Sequence, residues 1–135
     1  MLFTVSTIAV RYAETDQMGV VHHSNYPVYF EAGRTDFFHQ HLVHYTEMEK
    51  LGLFAPVISY GVEIKGRATY GDVLELETRP AGLKGLRLSM AYRITGKAGL
   101  IASGSSTHAL VTANLKPAHP RVFGELYDRL KRAFA

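Results

Sequence analysis

From residue 56 onward the hydrophobic residues of this chain fall at every second position, and that period restricts the fold more than any other feature. Ile58, Tyr60, Val62 and Ile64 alternate with Ser59, Gly61, Glu63 and Lys65. Leu74 and Leu76 alternate with Glu75 and Glu77, and Leu86, Leu88, Met90, Tyr92 and Ile94 alternate with Arg87, Ser89, Ala91 and Arg93. Successive side chains of a strand point to opposite faces, so each run predicts a strand with one apolar and one polar face. Glycines at 71, 82, 85, 96 and 99 punctuate the runs and supply the turns. Strands joined so briefly pair antiparallel. A last strand, about residues 100–113, is rich in Ala, Ser, Gly and Thr. Its lack of bulk suits close contact with a helix or a second subunit.

The first 55 residues have a different rhythm. Residues 2–13 carry Phe, Val, Thr, Ile and Tyr and read as a first strand. A polar loop follows over 14–25. Tyr26, Tyr29, Phe30, Gly33, Phe37 and His41 then repeat at i, i+3, i+4, which predicts a long helix over about 24–45. Ser24 or Asn25 is a candidate N-cap, Pro27 suits the first turn, and Glu31 lies toward the positive end of the helix. Ala32 and Gly33 are small enough to let that helix lie close against a sheet. Residues 46–51 form a second short helical piece, with Thr46 and Glu49 spaced as a capping box and Gly52 as the stop. Val122, Phe123, Leu126, Tyr127, Leu130 and Phe134 predict an amphipathic C-terminal helix, set off by Pro117 and Pro120. One long helix against one face of an antiparallel sheet is an α+β design. The other face is solvated or covered by a partner.

Bulk properties narrow the function. The 135 residues make one domain, 1–135, with no room for a separate cofactor-binding unit. The chain has no cysteine, which removes disulfides and thiolate metal sites and fits a reducing compartment. No basic leader opens the sequence and no apolar run is long enough for a membrane span, so a cytoplasmic protein is expected. The net charge of +3 suits an anionic ligand such as a nucleotide phosphate. It comes without the dense basic block of a nucleic-acid binder, so no nucleic-acid partner is expected. The basic residues near the C-terminus read first as a solvated helix face.

Chemistry concentrates in the loop before the long helix, Arg11 to Tyr26. A carboxylate there, Asp16, lies close in sequence to a helix start, where backbone N–H groups are unpaired and carry partial positive charge. Such donors hold a developing oxyanion while a carboxylate attacks or activates water. Gly19 lets the backbone turn tightly beside a ligand. On residue type alone Asp16 fits a turn or capping residue as well as a catalytic one.

The run Tyr12-x3-Asp16-x2-Gly19-Val20-Val21-x-His23-x2-Tyr26, continued by Tyr29-Phe30-Glu31-x2-Arg34, resembles the signature of the hotdog-fold acyl-CoA thioesterases of the 4-hydroxybenzoyl-CoA type. Tyr70-Gly71-Asp72-Val73-Leu74 resembles that family's strand-opening turn, and the likeness extends over about residues 4–120. The resemblance implies a hotdog fold, an antiparallel sheet of about five strands wrapped around the long helix. It implies hydrolysis of an acyl-CoA thioester to free acid and CoA, with Asp16 as nucleophile or base. The carbonyl oxygen would sit on the backbone N–H at His23. No metal or other cofactor is implied. It also implies homodimers joined sheet edge to sheet edge, often paired into homotetramers, and a basic residue for the CoA phosphates at Lys84, with Gly85 where a second base can stand.

Other readings remain open. Tyr26, Tyr29 and Phe30 suit an acyl-pocket wall or plain core packing. His22 and His23 with Asp16, or His39, His41 and His44, offer metal-binding nitrogens, although neighbouring side chains diverge. His108 reads as a satisfied core or interface group, and Glu31 with Arg34 as an ion pair. A hydratase or dehydratase would pair Asp16 with His22 or His23, because hotdog folds host that chemistry too. A non-catalytic acyl-CoA binding module is the third possibility.

Overall fold

The computed structural model describes residues 2–134. Period-two segments become strands and 3.6-period segments become helices. The elements are β1 (Thr4–Ala9), α1 (Asn25–His41), α2 (Tyr45–Lys50), β2 (Val57–Ile64), β3 (Val73–Lys84), β4 (Arg87–Gly96), β5 (Gly99–Ala109) and α3 (Gly124–Phe134). The five strands form one antiparallel sheet in the order β1-β3-β4-β5-β2. The sheet wraps α1, which gives the α+β hotdog architecture.

The meander β3-β4-β5 follows from its turns. Lys84 pairs with Arg87 and Gly96 with Gly99, so each connection is two residues long. Gly82, expected in the first of these turns, instead sits inside β3 at a register shift next to Pro80, with φ +149. Pro80 lies beyond the last residue paired to β1, Thr78, so its missing N–H costs that ladder nothing.

The sheet's inner face carries Leu74, Leu76, Leu88, Met90 and Ile94, each at most 1 % exposed, packed on Phe30, Phe37 and Phe38 of α1. β5 meets α1 with small residues. A Cβ on Gly104 would collide with the Phe30 ring, and one on Gly33 would collide with Thr78 Oγ1 and come within 2.7 Å of Leu76. The helix therefore presses on the sheet through Gly33; Ala32 faces outward and takes no part. At that closest approach Thr78 Oγ1 is buried without a hydrogen-bond partner among the described residues.

Several boundaries differ from the sequence-based expectation. β1 is shorter than residues 2–13 and is followed by a single 3-10 turn, Tyr12–Glu14. α1 stops at His41 rather than near 45, and α2 begins at Tyr45, whose ring stacks on Phe38 at 4.6 Å. That contact brings the helix start forward to His44, so Thr46 lies inside α2 and no capping box forms. Gly52, at φ +88, ends the segment as expected. Ser24 also makes no side-chain cap; its hydroxyl bonds His22 Nδ1 at 2.8 Å. β5 ends at Ala109 instead of 113. β2 departs most. It lacks a fully buried face, and Val57, Ile58, Tyr60 and Ile64 are all exposed, because β2 is an edge strand that α1 touches only sparsely, with Val62 alone partly buried against the core.

Candidate active site

The loop from Arg11 to Asn25 folds as a compact hairpin. Thr15 bridges Val21, Asp16 N–H donates to Val20 O at 2.9 Å, and Gly19 N–H donates to Asp16 O at 2.9 Å. Gly19 turns the chain at φ +81, in the left-handed region where a side chain would be strained. Asp16 sits at the hairpin tip, half-buried. Its Oδ1 accepts the Met18 N–H at 2.9 Å, which orients the carboxylate, while Oδ2 has no partner among the described residues.

The other hairpin arm leads into α1. His22 N–H donates to Glu14 O at 2.8 Å, and Asn25 Nδ2 donates to Glu14 O at 2.9 Å and His22 O at 3.3 Å. Ser24 N–H is taken by the His22 ring at 3.2 Å. Among the described residues the His23 N–H has no acceptor, so it is a free donor two residues before α1 begins. The rings of His22 and His23 stack at 4.2 Å, with His23 exposed.

A second carboxylate anchors the loop. Glu14 is 8 % exposed; its Oε1 accepts Arg11 N–H at 2.8 Å and the Tyr29 hydroxyl at 2.9 Å, and its Oε2 accepts Arg11 Nε at 3.2 Å. Burial alone would raise its pKa. The hydrogen bonds from the Arg11 N–H, the Tyr29 hydroxyl and the Arg11 side chain, with the Arg11 charge, outweigh burial and hold it below its ordinary value. Glu14 escapes a sequence reading because nothing local marks an acid for burial. Its partner Tyr29 lies 15 residues away.

Residues 68–72 brace the hairpin from outside. Val21 N–H donates to Ala68 O at 2.8 Å, Val20 bridges Thr69, and Tyr70 packs edge-on against Tyr12 at 5.7 Å. The two motifs quoted above, some 50 residues apart, therefore meet in space. Asp72 closes the brace by accepting from Thr69 N–H at 2.9 Å.

The remaining candidates are dispersed. Tyr26 is 2 % exposed and packs edge-on against Tyr29 in the core. Phe30 lines a cavity between α1 and β2. Lys84 is exposed at the β3–β4 turn, paired in register with Arg87. Among the described residues no three His, Cys, Asp or Glu side chains converge to hold a metal. His39 packs edge-on against His44, and His41 bonds Phe3 O at 3.0 Å. Glu31 and Arg34 do not form the ion pair that their spacing suggested: Arg34 is buried and bonds the Tyr92 hydroxyl. No described helix is long and apolar enough to cross a membrane.

A helix-wrapping antiparallel sheet with an acid-bearing hairpin at the helix start defines a class, the hotdog thioesterases. The family model described as the thioesterase-like superfamily matches residues 10–126. YneP of Bacillus subtilis, provisionally named an acyl-CoA thioesterase, is 38% identical over 105 residues, 77% of this chain and 76% of that one. The DHNA-CoA thioesterase of Staphylococcus aureus superposes with TM-score 0.89 at 31% identity, over 96% of this chain and 89% of that one. The hypothetical protein TT1821 of Thermus thermophilus superposes with TM-score 0.86 at 36% identity, over 99% of each. The chain belongs to the thioesterase-like superfamily.

Proposed function

We propose that this chain, as a single domain, hydrolyses acyl-CoA thioesters to the free acid and CoA, with Asp16 as its catalytic carboxylate. The observation that carries the reading is one hairpin bearing both a carboxylate with a free oxygen, Asp16 Oδ2, and an unpaired backbone donor, His23 N–H, at the start of α1. The thioester carbonyl oxygen sits on the His23 N–H, where the helix start favours negative charge. Asp16 then attacks the carbonyl carbon or takes a proton from an attacking water. The C–S bond breaks and CoA leaves as its thiolate, which needs little protonation. On the first route water cleaves the resulting anhydride and regenerates Asp16; on the second the acid forms directly. Gly19 lets the tip turn, Glu14 holds the loop, and Tyr26 acts from the core by setting the wall behind the site. Lys84 offers an exposed cation for the CoA phosphates, and no metal or other cofactor is needed.

The exposed apolar edge of β2 supports a homodimer in which two β2 strands pair across a two-fold axis, with further pairing into a tetramer. A soluble, cytoplasmic setting fits a cysteine-free chain with a CoA ester as substrate. Ile64→Lys, at the edge, is expected to shift the protein toward monomer in analytical ultracentrifugation, and an unchanged mass would count against this interface.

The primary test is thiol release from a panel of acyl-CoA esters by the native chain and by Asp16→Asn. Native turnover with a loss of at least about 100-fold in the variant is expected. No hydrolysis of any ester overturns the function; hydrolysis that survives the substitution overturns the site.

A further inference from the structure

Arg34 of α1 is the buried charge that the proposed mechanism does not use. It is 8 % exposed, and one guanidinium N–H donates to the Tyr92 hydroxyl at 3.2 Å. A polar chain runs on from there. Tyr92 Oη meets Ser106 Oγ at 2.6 Å, Ser106 Oγ meets His108 Nε2 at 2.8 Å, and His108 Nδ1 meets Ala55 O at 3.0 Å.

The direction of this chain follows from its ends. Ala55 O only accepts, so His108 Nδ1 carries a proton. Burial lowers the His108 pKa, which leaves its Nε2 as an acceptor. Ser106 therefore donates to His108, Tyr92 donates to Ser106, and Arg34 donates to Tyr92. Every member is neutral except Arg34. Among the described residues no carboxylate lies within the 4.0 Å of an ion pair with it. Tyr45 also flanks the guanidinium, again as a neutral group. A buried guanidinium with only neutral partners is costly, and an anion arriving from elsewhere offsets that cost.

The cavity beside it has the right form to deliver one. A trench of about 190 Å³ runs between α1 and β2, walled by Val28, Phe30, Val57 and Tyr60. On the α1 side its lining extends from Pro27, in the first turn, to Arg34, and Ser106 of β5 lines it as well. Seven residues of helix separate Pro27 from Arg34, about 10 Å. The trench thus leads from the helix start, where the thioester carbonyl sits in the proposed function, along apolar walls to a cation. Glu31 also lines it and works against an anion, but it is exposed to solvent, whereas Arg34 is not.

Building on the thioesterase reading, we propose that Arg34 is the floor of the acyl pocket and receives a carboxylate at the far end of the acyl group, so the preferred substrates are ω-carboxyacyl-CoA thioesters. Adipoyl-CoA and hexanoyl-CoA have equal chain length and differ only in that terminal carboxylate. The native protein is expected to favour adipoyl-CoA by at least about tenfold in kcat/KM. In Arg34→Met the ratio of the two esters falls to about one, and Arg34→Lys, which restores the charge, recovers part of it. Circular dichroism establishes that each variant is folded; should Arg34→Met not fold, the native ratio and the lysine variant decide. A native ratio at or below one overturns the proposal. So does a loss in the variant that is equal for both esters, since that is what a purely structural arginine produces. If neither ester is hydrolysed the thioesterase reading falls by itself. The pocket is then judged by calorimetric affinities of the same two esters, where equal affinity overturns it.

Discussion

Glu14 and Asp16 stand two residues apart in one loop, and their surroundings leave the same functional group locked in one case and half free in the other. Glu14 is buried, accepts three hydrogen bonds and has an arginine beside it. Asp16 accepts one hydrogen bond from its own turn and keeps an oxygen free at a half-buried tip. A carboxylate with both oxygens engaged is a poor nucleophile and a good anchor; a carboxylate oriented through one oxygen is the reverse. The difference teaches that a site of this kind needs both, because the free acid is positioned only as well as the loop beneath it.

The comparison breaks or sharpens under substitution. The largest effect is expected from Asp16→Asn, which keeps the Met18 N–H bond through its amide oxygen. The rate of thiol release should fall by at least about 100-fold while the urea midpoint stays within about 0.5 kcal/mol of native. A matching loss of stability would erase the distinction between the two acids. Single turnover in ¹⁸O-water sharpens the role further: label entering the Asp16 carboxylate marks a nucleophile, because a carboxylate that only takes a proton from water never bonds to its oxygen.

Glu14→Ala should behave the other way. It leaves the Tyr29 hydroxyl and the Arg11 N–H without their acceptor, and a loss of about 1–3 kcal/mol is expected in denaturant unfolding. Its rate on a good ester should drop far less than that of Asp16→Asn when measured on folded protein. Equal rate losses would make Glu14 part of the chemistry.

Acid titration tests the Glu14 anchor. The Glu14 pKa is lowered in the folded state, so its stabilisation is present above the ordinary value of 4.5 and is lost as pH falls through the folded pKa. Unfolding free energy against pH is expected to decline below about pH 4.5 in the native chain and to decline less in Glu14→Gln. The smallest effect belongs to Tyr29→Phe, which removes one of the three bonds. It should cost about 1 kcal/mol and move the Glu14 pKa upward, as seen by NMR titration of the side-chain carboxyl.

Much of this was legible in the residues. The alternation at 86–94 predicted β4, and glycine-punctuated short turns predicted the β3-β4-β5 meander. Both depend on neighbours within a few positions. Asp16 and His23 were legible as a pair only through the family resemblance, since spacing alone left Asp16 equally suited to a turn. The structure then adds the hairpin that carries both and the brace from residues 68–72.

The rest lay beyond local pattern. The alternation in 58–64 predicted a strand with a buried face, but which edge that strand joins depends on β5, far along the chain, and at the β5 edge the face is largely bare. Arg34 reads in sequence as the ion-pair partner of Glu31, and only the approach of β4 and β5 buries it on Tyr92. By itself the sequence determined the strands, the helices and the position of the acidic loop, because periodicity and turn chemistry act over one turn of helix or one hairpin. The tertiary structure alone decided which carboxylate is locked, which is free, and where a buried cation waits at the end of a trench. Burial and charge pairing are set by residues far apart in the chain, and no local rule contains them.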